Sequence, residues 1–146
     1  MTTFNTSREI PATAEQVFAA ISDPERLVRW WGPDGFTNTS SVCEFKKGGR
    51  WSFTMHGPNG HNYPNECVFA EIESPGKVVV QHVLEPKFQL TIALAASATG
   101  TMVSWSQVFE SAEVASSMKH IVVPANEQNL ERLSAEVLRQ PGIAER

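Results

Sequence analysis

Three polar residues interrupt strand faces that otherwise read apolar: Glu66 among Val68, Ala70 and Ile72, His82 among Val78, Val80 and Leu84, and Gln107 among Val103, Trp105 and Phe109. Breaks of this kind are where function concentrates. A fourth, Asn126, lies four residues before Leu130 and seven before Leu133, and so shares their stripe on a helical segment. If those faces meet in one cavity, a carboxylate, an imidazole and two amides converge there. Such a set can move a proton at a carbon next to a carbonyl, with Glu66 or His82 as acid or base. The plainer reading is a satisfied core network, or a face misassigned by one residue, and it is the favoured one for Glu66 and His82. Asn126 is balanced between contact with a ligand and internal satisfaction, because a buried amide needs partners. Asn129, at the edge of the same stripe, can bond a ligand, a backbone group or a trapped water.

The expected walls of the cavity are Trp31, Trp51, Phe53, Met55, Trp105 and Phe109, with Gln107, Asn126 and Leu130 completing the set of expected ligand contacts. A tryptophan offers a large apolar face and one donor, which suits an aromatic or acyl ligand. Simple core packing is the favoured reading for Trp30, Trp31 and Trp51, since aromatic side chains dominate small cores. His56 and His61 flank the Gly57-Pro-Asn-Gly60 turn, but no third or fourth metal ligand follows at a useful spacing. No metal and no cofactor are therefore expected. A G-x-S-x-G elbow, a P-loop and a dinucleotide glycine fingerprint are all missing.

The elements that must position these residues read in order along the chain. Phe4 to Ile10 forms a strand ended by Pro11, and Thr13 to Gln16 forms a capping box that opens a helix with Ala14, Val17, Phe18 and Ile21 inward. Pro24 suits the first position of a second short helix carrying Leu27, Trp30 and Trp31. From Gly32 the punctuation changes, and turn clusters at Pro33–Gly35, Lys46–Gly49, Gly57–Gly60, Ser74–Gly76, Glu85–Lys87 and Ser97–Gly100 leave room for six strands. Trp51, Phe53 and Met55 alternate with polar neighbours, so one face is buried. The helical period then returns with Val114, Met118 and Ile121, and after Pro124 with Leu130, Leu133 and Val137. Pro124 must begin a helix or kink one.

The chain's 146 residues, 41% of them hydrophobic, fit one domain spanning 1–146 around one core. The formal net charge of −4 argues against nucleic acid or an anionic membrane as a standing partner. No apolar run approaches a membrane span and the first residues lack a secretory signal pattern, which makes a cytoplasmic location the expectation and membrane insertion unexpected. Cys43 and Cys67 fall in strands separated by another strand, so both are read as reduced. Free sheet edges make a homodimer plausible.

Three segments carry a resemblance: Asp23-Pro-Glu-Arg-Leu-Val-Arg-Trp-Trp-Gly-Pro33, Lys47-Gly-Gly-Arg-Trp-Ser-Phe-Thr-Met-His-Gly-Pro-Asn-Gly60 and Asn126-Glu-Gln-Asn-Leu-Glu-Arg-Leu133. In this order they resemble the bacterial proteins similar to the activator of the ninety-kilodalton heat-shock-protein ATPase. Those proteins stand within the SRPBCC or START-like group, which also includes plant pathogenesis-related allergens and polyketide cyclases. The resemblance runs from about Arg8 to Leu138. It implies an α+β helix-grip fold, a curved antiparallel sheet of about seven strands around a long C-terminal helix, with two short helices after the first strand. A cavity between sheet and helix is implied with it, but fold alone does not set activity. The leading expectation is binding of a small hydrophobic or aromatic molecule there. A polyketide cyclase or dehydratase-type enzyme using the same cavity, and a chaperone-linked or regulatory interaction module, are the alternatives.

Overall fold

Thr13 opens the first helix as its sequence dictates. Its hydroxyl accepts the Gln16 N–H at 3.1 Å, while the Gln16 side chain accepts the Thr13 N–H at 2.8 Å, closing a capping box that satisfies donors the helix cannot. This is α1 (Ala14–Ser22), which buries Val17, Phe18, Ala20 and Ile21. Asp23 stops α1 and caps α2 (Pro24–Trp30), taking the Glu25 N–H at 3.0 Å. The structure is a computed structural model that describes residues 2–139.

Before these helices runs β1 (Thr3–Ile10); after them come β2 (Thr37–Cys43), β3 (Arg50–His56), β4 (Asn62–Glu73), β5 (Lys77–His82), β6 (Phe88–Ala96) and β7 (Thr101–Phe109). The cluster at Pro33–Gly35 falls between α2 and β2 and the other five each fall between two successive strands, because glycine, proline and the short polar residues there cannot continue a ladder. The sheet is antiparallel throughout, in the order β1-β7-β6-β5-β4-β3-β2. The segment holding α1 and α2 thus carries the chain from one edge of the curved sheet to the other. Gly49 permits the tight return between β2 and β3: a Cβ there would stand 1.9 Å from the Glu44 carbonyl oxygen, a distance no side chain tolerates.

The last element is α3 (Ala112–Leu138), one helix of 27 residues and roughly 40 Å long at 1.5 Å per residue. Pro124 lies inside it rather than at its start. Past the proline, Leu130, Leu133 and Val137 are buried in the main core. Before it, Ala115 and Val122 cover a smaller cluster with Phe109, against which Phe4, Phe88 and Met118 pack. Val122 takes the buried place that the sequence spacing gave to Ile121, which is 54% exposed.

Trp51 (1% exposed) and Phe53 (3%) point inward as their alternation requires, and Met55 is half-buried on the same face. The expected face of β4 needs correcting. A bulge between Phe69 and Glu71 shifts the pairing with β5, so the inward residues are Cys67 and Phe69 before it and Ile72 after it. Counting back from Ile72 in steps of two crosses that extra residue and puts Glu66 on the wrong side.

Cys43 and Cys67 are both free, and β3 runs between them, with Trp51 opposite each. Two strand spacings amount to roughly 9.5 Å, beyond the ~7 Å that a disulfide spans between Cα atoms. Burial, aided by the charge of Glu66, pushes the Cys67 thiol up to about 12, and burial also raises Cys43. In the native protein at mildly alkaline pH, an aromatic disulfide reagent should label half-buried Cys43 first and leave Cys67 unreacted. Two thiols should titrate after unfolding; rapid labelling of both in the native state would contradict the placement of Cys67.

Candidate ligand-binding cavity

Between the inner face of the sheet and α3 lies a cavity of about 370 Å³. Its floor comes from alternate residues of the strands: Phe53 and Met55 of β3, Asn65 and Cys67 of β4, His82 of β5, Phe88 and Leu90 of β6, and Trp105 and Gln107 of β7. The roof is α3, through Met118, Val122, Ala125, Asn126 and Asn129, and the loop after α2 adds Trp31, Gly32, Pro33 and Phe36. Tyr63 and Ile121, 42% and 54% exposed, belong to the same wall and mark where it reaches solvent.

Of the residues expected to contact a ligand, Trp31, Phe53, Met55, Trp105, Gln107 and Asn126 line this space. Trp51, Phe109 and Leu130 do not. Trp51 lies behind the wall, stacked on Phe53 at 4.1 Å and on Phe69 at 5.7 Å, and meets Trp31 edge-on at 4.8 Å. Phe109 packs against Phe4 at 5.9 Å and Phe88 at 5.5 Å beneath the first half of α3. Leu130, fully buried, sits where α3 has already entered the main core.

The catalytic candidates separate. Glu66 faces outward, bonded to the Ser52 hydroxyl and 3.5 Å from Arg50, so it has no access to the cavity. His82 does line the cavity, but its two ring nitrogens stand 2.9 Å from the Pro86 carbonyl and 2.8 Å from Asn65 Oδ1, and its ring stacks on Phe88 at 4.7 Å. Both nitrogens are engaged by protein oxygens, which is the satisfied-network reading. His56 is likewise held by Thr39 and Asn62, each at 2.7 Å, and not paired with His61. Among the described residues, no three His, Cys, Asp or Glu side chains converge.

What the sequence reading missed is the fastening of the loop that supplies Trp31. Arg132 donates to the carbonyls of Gly32 and Pro33 (both 2.8 Å), Arg29 (2.9 Å) and Phe36 (3.1 Å). Asn129 accepts the Gly32 N–H at 3.2 Å and donates to the Trp30 carbonyl at 3.1 Å; its partners are backbone groups. Gln128 accepts the Asp34 N–H at 3.1 Å, and from the sheet side Asn38 donates to the carbonyls of Trp31 (2.7 Å) and Val28 (3.2 Å). One turn further, Glu136 binds Arg26 at 2.9 Å and Arg29 and Arg139 at 3.1 Å. The signal was in the spacing: Asn129 and Arg132 are three apart and face one side of α3, but only the folded chain brings them to the Trp-Trp-Gly-Pro loop.

A curved seven-stranded sheet gripping one long helix, with a cavity between them, defines a helix-grip domain. The chain belongs to the family described as activator of Hsp90 ATPase homolog 1-like protein, whose sequence profile matches residues 11–137. Solved structures agree on the fold. A protein of Arthrobacter aurescens superposes with a TM-score of 0.86 at 25% identity, over 94% of this chain and 87% of that one. One from Nitrosomonas europaea gives 0.85 at 16% identity over 95% and 96%, and an AHSA1-like protein from Aeromonas hydrophila gives 0.75 at 19% over 97% and 94%. No curated protein matches the chain. No helix among the described residues is long and apolar enough to cross a membrane.

Proposed function

We propose that the protein binds one small hydrophobic molecule with aromatic character in the cavity between the sheet and α3. The observation that carries this reading is the composition of the wall. Trp31, Phe53, Phe88 and Trp105 present large rings around an unfilled space of about 370 Å³, the kind of site in which apolar area removed from water supplies most of the affinity. An acid–base enzyme of the cyclase or dehydratase type draws no such support, because Glu66 is outside and the nitrogens of His82 are already engaged.

The test is a titration with N-phenyl-1-naphthylamine, a neutral probe whose emission rises in apolar surroundings. Saturable binding at one site per chain is expected. Ala125→Phe, which places a ring into the cavity from half-buried α3, should weaken the probe by roughly tenfold or more while the protein still unfolds cooperatively. Equal affinity in that variant would place the probe elsewhere and count against the reading.

A further inference from the structure

The two amides in the cavity wall specify more than apolarity. Asn126 Nδ2 donates to Gln107 Oε1 at 3.1 Å, tying α3 to β7 across the space. That bond uses one half of each amide. Gln107 Nε2 and Asn126 Oδ1 have no hydrogen-bond partner among the described residues, and neither is among the fully enclosed orphan atoms. A donor on Gln107 and an acceptor on Asn126, two residues of the wall, are therefore left free. Turning both amides over exchanges their roles and still leaves one of each.

Charge is missing from the same wall. Among the described residues, no Asp, Glu, Lys or Arg side chain lines the cavity, although the chain carries 28 such residues, 12 basic and 16 acidic. A ligand carboxylate or ammonium entering it would lose its water and meet no counter-charge, which is costly enough to exclude it. A neutral hydroxyl, by contrast, accepts one hydrogen bond and donates another. It fits the free Gln107 N–H and the free Asn126 carbonyl together.

We infer that the cavity selects neutral aromatic molecules bearing a hydroxyl group, held by the free halves of Gln107 and Asn126, and that it discriminates against aromatic carboxylates of the same size. This inference rests on the cavity reading above and adds the polar group to it.

The experiment compares naphthalene, 2-naphthol and 2-naphthoate by equilibrium dialysis at neutral pH, where the second is neutral and the third ionised. 2-Naphthol should bind about tenfold more tightly than naphthalene, the effect of one net hydrogen bond. 2-Naphthoate should bind at least a hundredfold more weakly than 2-naphthol. Gln107→Leu should remove most of the advantage of 2-naphthol over naphthalene, read as the ratio of the two affinities within the variant. Asn126→Leu, at a half-buried position on α3, repeats the comparison, so a folding defect at Gln107 leaves the test standing. If 2-naphthoate matched 2-naphthol, or the advantage of 2-naphthol survived both substitutions, the amides would not be selecting the ligand and the inference would fall while the cavity reading stood. Binding of none of the three would remove both.

Discussion

Replacing Arg132 with alanine is expected to cost about 3 kcal/mol of stability, seen as a drop of roughly 8–12 °C in Tm. The guanidinium donates to four carbonyls between Arg29 and Phe36 at 2.8–3.1 Å. Those carbonyls belong to the end of α2 and the loop beyond it, where helical partners run out, and several of them are away from water. Removing the fork takes these bonds away at once, the Pro33 carbonyl alone keeping the Phe36 N–H at 3.2 Å among the turn bonds, and hydrogen bonds to a charged donor are the stronger kind. Arg132→Lys should recover less than half, because one ammonium cannot reach in the several directions that a planar guanidinium does. Urea unfolding of the three proteins checks this. A loss below about 1 kcal/mol in the alanine variant would show that Asn129 and Asn38 hold the loop unaided. The same variant should weaken N-phenyl-1-naphthylamine, since the freed loop carries Trp31 and Phe36.

Glu136→Gln is expected to cost about 2–3 kcal/mol at neutral pH and almost nothing in strong acid. The carboxylate is 5% exposed, and burial by itself would raise its pKa; hydrogen bonds from Arg139 and Arg26 and the charges of Arg139 and Arg29 outweigh burial, so the group lies below the usual carboxylate range. A folded-state pKa below the unfolded one contributes stability that is present in full above the ordinary glutamate value, about 4.3, and is lost as pH falls through the depressed folded value. Wild type and Glu136→Gln should therefore converge as pH drops through that interval. Arg29 and Arg139 are close to half exposed, which keeps the magnitude below that of a fully buried pair and makes it sensitive to salt. A difference between the two proteins that stays constant with pH would show that the loss reflects packing rather than charge.

Local rules were enough for the architecture. Thr13, Pro24 and the six turn clusters each act within a few residues of themselves, and the alternation Trp51, Phe53, Met55 needs only the pleat to decide its face. The lining of the candidate cavity was legible where periodicity ran without interruption, at Trp31, Phe53, Met55, Trp105, Gln107 and Asn126. It failed where a long-range feature intervened. The bulge at Ala70 reversed the face of Glu66, and nothing in the sequence around Ala70 marks an extra residue. Trp51 and Phe53 share a face, yet stacking puts one behind the other, a distinction of depth that periodicity does not carry. Arg132 escaped notice because its partners are backbone carbonyls about a hundred residues away, which no side-chain pattern records.

The four methionines offer the most direct test of the central claim. Met55 on β3 and Met118 on α3 line the cavity from opposite sides, whereas Met102 faces outward from β7, 36% exposed. With protein labelled at the methionine methyl carbons, addition of 2-naphthol should shift the Met55 and Met118 signals together and saturably, since a ring between them moves both, while Met102 stays in place. Binding that shifted Met102, or that left Met55 and Met118 unmoved at saturation, would put the ligand outside the cavity and contradict the account.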